Sequence, residues 1–124
     1  MKIIIIGDGK VGHSLAEHLS RENHDVTIID KNPEALRKAS EALDVMCIKG
    51  NGVSTKVMLE AGVKNADLLI AATSSDEMNM VCALTGRKLG ASHTVARIRD
   101  PEYADELSVL KTELGLDLVI NPEQ

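Results

Sequence analysis

The sequence predicts a doubly wound α/β fold in which six parallel strands lie in the order 3-2-1-4-5-6 and helices cover both faces of the sheet. Three observations support this prediction. Short β-branched runs alternate with segments of helical periodicity along the chain. Aromatic residues make up only 1% of the chain, so aliphatic side chains must form the core, which suits a parallel sheet. The first strand–helix junction carries the glycine spacing of a Rossmann-like fold.

The first half of the chain provides three of the predicted strands. The predicted elements are strand 2–6, helix 11–22, strand 25–29, a helix from 32–33 to about 43, and strand 45–48. Asn32 and Pro33 mark the start of the second helix, because asparagine is a favoured N-cap and proline fits the first helical position.

The second half continues the alternation. Its predicted elements are a short helix from 54 or 55 to about 62, strand 67–71, helix 76–89, strand 94–98, a helix from 100–101 to about 114, and strand 116–120. Ser74 and Glu77 have the spacing of a Ser-x-x-Glu capping box, which predicts Ser74 as the cap of the fourth helix. Gly90 ends that helix, as glycine commonly does.

Length and composition limit the possible functions. At 124 residues the chain has room for one domain, which we place at 1–124. The net charge is −5 and there is no basic patch, so nucleic acid is not an expected partner. No apolar run approaches the roughly 18 residues of a membrane span. Cys47 and Cys82 form no C-x-x-C motif and indicate reduced, buried thiols in a cytoplasmic protein.

The segment Gly7-Asp8-Gly9-Lys10-Val11-Gly12 is predicted to bind the phosphates of a dinucleotide. Gly7 permits the tight turn, Gly9 lets a pyrophosphate approach the backbone, and Gly12 lets the helix pack close to the strand. The N–H groups and positive dipole end of the helix then face the phosphates. The motif is specific here because a strand precedes it, a helix follows it, and the second strand ends in an acidic residue.

Asp30, at the end of the second predicted strand, is the candidate ribose ligand. It lies 18 residues after Gly12, where this fold places a carboxylate on the adenosine ribose. A carboxylate accepts a hydrogen bond from a 2′-hydroxyl and repels a 2′-phosphate, so Asp30 favours NAD(H) over NADP(H). The adjacent Lys31 weakens this preference if it neutralises a phosphate, although a solvated surface lysine is the simpler interpretation.

Ligands of this fold bind outside the carboxyl ends of the strands, which selects two further loops. Asn51 and Gly52 follow the third strand, where the Asn51 amide either reaches an adenine edge or belongs to a Gly-Asn-Gly turn. Thr73 and Ser74 follow the fourth strand, where their hydroxyls contact the ligand, cap the next helix, or do both.

Arg97 is the one arginine in the fifth predicted strand, which otherwise has the composition of a buried strand. A charge in such a position needs a partner. A pyrophosphate is one candidate partner, and a carboxylate such as Asp76 or Glu77 is the structural alternative.

The sequence indicates no catalytic or metal-binding constellation. The four histidines are scattered and no Cys/His cluster occurs, so no metal site is expected. A Tyr-x-x-x-Lys pair and a second domain with substrate groups are also missing. We therefore expect a chain that holds a cofactor without using it. The alternative is the cofactor domain of a truncated NAD-dependent oxidoreductase.

Several segments together resemble the KTN family, the N-terminal domains of RCK-type regulators of potassium transport. These segments are 5–12, Asp30, 50–52, 72–80, 95–99 and 119–123, and the resemblance covers the whole chain. The segments 73–80 and 120–123 are much more specific to the family than the glycine loop is.

The resemblance implies a regulatory domain that is not an enzyme. Such domains bind NAD(H), and in relatives ATP or ADP, and they assemble as dimers or tetramers on a membrane potassium transporter or channel at the cytoplasmic side. Ligand occupancy changes the geometry of the assembly, and this motion reaches the pore. The positions that match the family's nucleotide contacts are 7–11, Asp30, Asn51-Gly52, Thr73-Ser74 and Arg97.

The sequence also departs from the family pattern. Relatives often carry Gly-Asp after the third strand, whereas this chain has Gly50-Asn51, so a contact that depends on charge is not carried over. Glu123 matches a position that binds a divalent cation between subunits in some relatives. Full-length relatives continue into a C-terminal RCK domain, which implies that 1–124 is the nucleotide-binding part of a longer protein. The end of the chain just after the sixth predicted strand fits this, and it fits a small stand-alone protein equally well.

Overall fold

The computed structural model describes residues 1–7, 9–115 and 118–120. The strands are β1 (Lys2–Ile6), β2 (Asp25–Asp30), β3 (Met46–Lys49), β4 (Leu68–Ala71), β5 (His93–Arg97) and β6 (Leu118–Ile120). The helices are α1 (Lys10–Arg21), α2 (Pro33–Ala42), α3 (Thr55–Glu60), α4 (Asp76–Leu89) and α5 (Pro101–Leu114), with a 3₁₀ turn at Val63–Asn65. Strands and helices alternate along the chain, as the sequence pattern predicts.

The strands form one parallel sheet in the order β3-β2-β1-β4-β5-β6. The predicted fold class, a Rossmann-like doubly wound α/β fold, is confirmed. Strand β1 pairs with β2 on one side and with β4 on the other, so Ile3 lies between Val26 and Leu68. The strand order reverses between β1 and β4, and in this fold such a point opens a crevice at the carboxyl ends of the strands.

Strand β1 is buried on both faces of the sheet. On one face Ile3 and Ile5 belong to the cluster that packs against α1 and α2. On the other face Ile4 and Ile6 belong to the cluster that packs against α3 and α4. Burial on both sides explains why the strand is a continuous apolar run without the alternation of a half-exposed strand.

Side-chain caps begin four of the five helices. The oxygens of Asn32, Ser54 and Ser75 accept N–H groups of α2, α3 and α4, and the Asp100 carboxylate accepts the N–H of Glu102 at the start of α5. The Asn32 cap agrees with the prediction. The Ser74 cap was wrong by one residue, because the Thr73 hydroxyl accepts the N–H of Ser75 and extends the loop through Ser75.

Within the described residues, every helix is too short or too polar to cross a membrane.

Candidate functional site

A cleft of about 600 Å³ lies at the carboxyl ends of β1, β2, β4 and β5. Its lining residues are Ile6, Gly7, Gly9, Lys10, Val11, Ile29, Asp30, Lys31, Ala72, Thr73, Ser74, Ser75, Met78, Arg97 and Arg99. Eight of the predicted site residues are in this set, namely Gly7, Gly9, Lys10, Val11, Asp30, Thr73, Ser74 and Arg97. Segments far apart in the sequence therefore meet at the switch point, as the fold requires.

The glycine loop forms the floor of the cleft and is tightly packed. Gly7 has φ +99°, and a Cβ on it would lie 3.0 Å from backbone atoms of Ala72 and Thr73. A Cβ on Gly12 would lie 1.9 Å from the carbonyl oxygen of Gly7. The missing side chain of Gly12 thus allows α1 to pack against the loop, which is the role predicted for this residue. Gly12 does not line the cleft. Asp8 lies outside the described residues.

The N-terminus of α1 is open to the cleft. Its N-cap is Gly9, which has no side chain to accept an N–H group, and its first turn contains no acidic residue. A Cβ placed on Gly9 would meet nothing within 4 Å, so the space beside this residue is empty. The first N–H groups of a helix have no partner within the helix, and together with the dipole they form a binding site for an anion.

The charges of the cleft favour an anionic ligand. Lys10, Lys31, Arg97 and Arg99 line it, and Asp30 is the one acidic residue in the described lining. This local excess of positive charge contrasts with the net charge of −5 of the whole chain. Lys31, which is expected from the sequence to be a solvated surface lysine, lines the cleft, and so does Arg99, which is not among the predicted site residues. Arg99 lies two residues beyond Arg97, and this spacing places both side chains on the same side of an extended segment.

Arg97 is held at the wall of the cleft by backbone oxygen. Its Nη1 donates to the carbonyl of Thr73 at 3.2 Å, whereas its buried Nε has no hydrogen-bond partner among the described residues. The carboxylate alternative for Arg97 was wrong in this part of the chain. Asp76 instead accepts the backbone N–H groups of Arg99 and Asp100, each at 2.9 Å.

Glu77, the other carboxylate considered for Arg97, also has different partners. It accepts the Ser75 hydroxyl at 3.3 Å, and its pKa is held below 4.5 by a hydrogen bond from its own backbone and by another from Tyr103. The Nε of Arg97 is therefore a buried N–H group without a hydrogen-bond partner among the described residues, which costs free energy in the free protein.

Asp30 ends β2 and is partly buried at the cleft. Its Oδ1 accepts the backbone N–H of Asn32 at 2.8 Å, which fixes the orientation of the carboxylate. Lys31, beside it, is exposed and lines the same cleft. The predicted ribose position and the neighbouring cation are therefore both at the site.

Asn51 and Gly52 do not belong to the cleft lining. The Asn51 side-chain oxygen accepts the N–H of Val53 at 3.1 Å, which is the geometry of an Asx turn. Gly52 is buried, and a Cβ on it would lie 2.3 Å from Cγ2 of Ile6. The contacts of these two residues thus favour the turn alternative over adenine contact.

In the loop after β4, the Thr73 hydroxyl bonds within the fold and the Ser74 side chain lines the cleft. The Thr73 hydroxyl donates to Oδ1 of Asn79 at 2.6 Å and accepts the N–H of Ser75. Ser74 is exposed, lines the cleft and leaves the capping of α4 to Ser75. Sequence reasoning did not single out Asn79, although a polar residue between Met78 and Met80, one turn into an amphipathic helix, was the available signal.

The described residues offer little for covalent chemistry or metal binding. Cys82 is buried, and burial raises the pKa of its thiol to about 11, which keeps it protonated. Within residues 1–7, 9–115 and 118–120, no three His, Cys, Asp or Glu side chains are grouped so as to hold a metal ion. Glu123, the residue matched to a cation position, lies outside that part of the chain.

Comparison with known proteins identifies relatives of this domain. The family model for the TrkA-N domain matches residues 3–122. The Trk system potassium uptake protein TrkA homolog of Archaeoglobus fulgidus is 42% identical over 123 residues, which are 99% of this chain and 28% of that protein. The Trk system potassium uptake protein TrkA of Halomonas elongata is 40% identical over 126 residues, covering 100% of this chain and 28% of that protein. The chain thus spans little more than a quarter of these relatives.

Solved structures share the fold at lower sequence identity. The TrkA-N domain of the inner membrane protein ybaL from Escherichia coli superposes with a TM-score of 0.84 at 23% identity, covering 98% of this chain and 87% of that one. The GsuK channel bound to NAD has a TM-score of 0.79 at 23% identity, covering 96% of this chain and 21% of that one. The Kef CTD of Shewanella denitrificans in AMP-bound form has a TM-score of 0.76 at 21% identity, covering 98% of this chain and 71% of that one.

At 21–23% identity, these structural matches show that the fold is shared. The sequence matches show the family to which the chain belongs. The predicted resemblance is confirmed by a family model and by relatives of 40% identity or more that extend over nearly the whole sequence. The chain belongs to the TrkA-N domain family.

Proposed function

We propose that this chain is a nucleotide-binding regulatory domain of a potassium uptake system, and that it acts by binding rather than by catalysis. The observation that carries the proposal is the uncapped N-terminus of α1, which opens into a cleft lined by four cationic side chains. A pyrophosphate bound there would receive backbone N–H groups from α1 and charge from Arg97 and the lysines.

The proposed ligand is NAD(H). Asp30 would accept a ribose 2′-hydroxyl, while Gly7, Gly9, Lys10 and Val11 would surround the pyrophosphate. The GsuK channel, which shares this fold, has been solved with NAD bound. In our proposal the backbone N–H of Asp8 and the side chains of Ser74 and Arg97 complete the phosphate contacts. Thr73 supports them from the loop, because its N–H and its hydroxyl both donate to Asn79. Gly12, Asn51 and Gly52 support the loops that surround the ligand.

An adenine mononucleotide is the second candidate ligand. ATP or ADP would use the same glycine loop and the same ribose carboxylate, and the cationic cleft would suit a longer phosphate chain. The AMP-bound Kef domain and the ADP-bound GsuK channel favour this possibility for the fold. The two candidates differ in whether a second nucleoside is bound.

In the proposed mechanism, occupancy of the cleft biases the assembly that contains this domain. The curated relatives are named Trk system potassium uptake proteins, and this chain corresponds to about 28% of their length. We infer that residues 1–124 are the nucleotide-binding part of a longer cytoplasmic subunit, which forms a dimer or tetramer on a membrane potassium transporter. A ligand can shift such an assembly only if it binds two of its states with different affinities.

The first experiment is calorimetric titration of the purified chain with NADH, NAD⁺, NADPH, ATP and ADP. NADH or NAD⁺ is expected to bind more tightly than NADPH, and Asp30→Ala is expected to abolish this preference, because the carboxylate is the group that distinguishes a hydroxyl from a phosphate. Glu34→Ala is the matched control, since Glu34 is an exposed acid on α2 that does not line this cleft.

Each result of the titration has a distinct meaning. Binding of ATP and ADP with indifference to NADH would replace the dinucleotide by a mononucleotide. The lack of binding by any of the five ligands would contradict the proposed function. In a separate absorbance assay, NADH oxidation in the presence of an added substrate would favour the oxidoreductase alternative over a purely regulatory role.

A further inference from the structure

The cleft is supported from behind by a buried asparagine that does not line it. Asn79 in α4 is 0% exposed and makes four hydrogen bonds. Its Oδ1 accepts the Thr73 N–H at 2.8 Å and the Thr73 hydroxyl at 2.6 Å. Its Nδ2 donates to the carbonyls of Thr73 at 3.0 Å and Arg97 at 2.7 Å. Two donors and two acceptor positions are the full capacity of an amide side chain.

These partners require an asparagine at position 79. The Arg97 carbonyl can only accept and the Thr73 N–H can only donate, so the amide orientation is fixed by its neighbours. An ionised carboxylate of the same size has no donors for the two carbonyls. An aliphatic side chain would leave the carbonyls and the N–H group without partners in a buried place.

The same hydrogen bonds form a closed ring with Arg97. The Thr73 carbonyl that accepts Nδ2 of Asn79 also accepts Nη1 of Arg97 at 3.2 Å. Asn79 therefore holds both ends of the arginine side chain: the backbone from which it starts and the carbonyl to which its guanidinium is bonded. Among the described residues, the buried Nε of Arg97 has no other partner.

We propose that Asn79 is the positioning residue of the phosphate site, which fixes the Arg97 guanidinium at the wall of the cleft without touching the ligand. This inference rests on the proposed function. A side chain that is already ordered in the free protein loses less conformational entropy on binding, so preorganisation of Arg97 increases affinity. Asn79 also joins the loop after β4 to the end of β5, two segments that would both contact the ligand.

A double-mutant cycle on NADH affinity tests this role. Asn79→Leu and Arg97→Gln are each expected to raise Kd roughly tenfold or more, since each removes or misplaces a charge-assisted hydrogen bond. If Asn79 acts through Arg97, the double variant binds NADH no more than about twofold more weakly than Arg97→Gln alone. Asn79→Ser, which removes the same four contacts with a smaller side chain, replaces Asn79→Leu if the latter fails to fold.

A measurement without ligand separates positioning from general loss of stability. Hydrogen exchange of the Arg97 Nε–H, followed by NMR, is expected to be slow in the wild type and about tenfold or more faster in the Asn79 variant. Met58→Ala is the control, because Met58 is a fully buried side chain of α3 that makes no contact in the ring. It should lower the unfolding midpoint while leaving both Arg97 exchange and NADH affinity unchanged.

The outcomes distinguish this inference from the proposed function. Independent losses that multiply in the double variant would overturn the positioning role, and so would unchanged NADH affinity in the Asn79 variant. If the wild type binds no nucleotide, the proposed function fails, and the exchange measurement still decides whether Asn79 orders Arg97. Unchanged Arg97 exchange in the variant would then reject the inference.

Discussion

Two helices begin at the same cleft, and their N-termini are built in opposite ways. Helix α1 follows β1 and begins at Gly9 with no acidic residue in its first turn. Helix α4 follows the neighbouring strand β4 and begins at Ser75, whose hydroxyl accepts an N–H, with Asp76 and Glu77 in its first turn. Both helices place a positive dipole end near the carboxyl edge of the sheet.

The difference shows that a helix N-terminus at a switch point is not by itself an anion site. In α4 the Ser75 hydroxyl accepts the Met78 N–H, and the two carboxylates of the first turn interact favourably with the positive dipole end, so this end stabilises the fold. In α1 the N-cap Gly9 provides no side-chain acceptor, the first turn has no acidic residue, and among the described residues the space beside Gly9 is empty. We therefore expect substitutions at α1 to change ligand affinity, and substitutions at α4 to change stability.

The largest effect is expected where α1 packs against its own loop. Gly12→Ala would place a Cβ 1.9 Å from the Gly7 carbonyl oxygen, a backbone atom that cannot move without displacing the loop. We expect a loss of roughly 3 kcal/mol or more in the free energy of unfolding, since overpacking against backbone is at the upper end of such costs. Urea denaturation monitored by circular dichroism measures this loss. A loss below about 1 kcal/mol would mean that the loop can relax.

Gly9→Ala should separate binding from folding at the same helix. A Cβ there meets no atom within 4 Å in the free protein, and φ is −77°, so any residue can adopt this conformation. We expect the unfolding free energy to change by less than about 1 kcal/mol, while nucleotide affinity falls about tenfold because the methyl group occupies the path of the phosphates. Calorimetry and urea denaturation on the same sample test both parts. Unchanged affinity would show that phosphates do not approach Gly9.

Ser75→Ala should have the opposite signature. Its hydroxyl accepts the Met78 N–H at 3.1 Å, and loss of a serine cap costs about 1 kcal/mol of stability. Nucleotide affinity is expected to stay within about threefold of the wild type, because the remaining carboxylates keep this helix end unattractive to phosphate. Ser75→Asp, which restores a capping acceptor, is the matched control and should recover the stability. A large loss of affinity in Ser75→Ala would place α4 at the phosphates as well.

The smallest expected effect is a change in the stability of α4 at acidic pH. The pKa of Glu77 is lowered in the folded protein, chiefly by a backbone hydrogen bond and then by one from Tyr103. Its stabilising contribution is present above the ordinary value of 4.5 and is lost as the pH falls through the lowered pKa. Glu77→Gln should therefore flatten the loss of stability below about pH 4.5, and Tyr103→Phe should do so in part. Identical acid profiles for all three proteins would contradict this prediction.

Most of the fold was accessible to sequence reasoning because it follows from local patterns. Alternating apolar runs and glycine or proline punctuation predicted the element order, and the helix bounds at 76–89 agree with α4. The capping residue of α4 was missed because Thr73, Ser74 and Ser75 are equivalent as a local pattern. Only the hydrogen bonds of Asn79 and Ser75 to Thr73 distinguish them.

The candidate site was accessible in outline for a topological reason. Once the strand order is assumed, the carboxyl ends of β1, β2, β4 and β5 must meet, so Gly9, Asp30, Ser74 and Arg97 could be placed together. The partner of Arg97 could not be chosen in this way, because Asp76 and the Thr73 carbonyl are both near it in the topology. Whether Asn51 points to a ligand or into a turn likewise depends on one side-chain torsion.

The sequence by itself determined the order of strands and helices, the position of the glycine loop, the acidic residue at the end of β2 and the excess of aliphatic side chains, because these depend on residue type and spacing alone. The tertiary structure decided which polar groups are used by the fold and which face the cleft. Asn79 and Asp76 are satisfied by backbone groups from other segments, whereas the Nε of Arg97 has no partner among the described residues. The reason is that a hydrogen bond depends on distances of a few tenths of an ångström between residues far apart in the chain, and spacing along the sequence does not encode them.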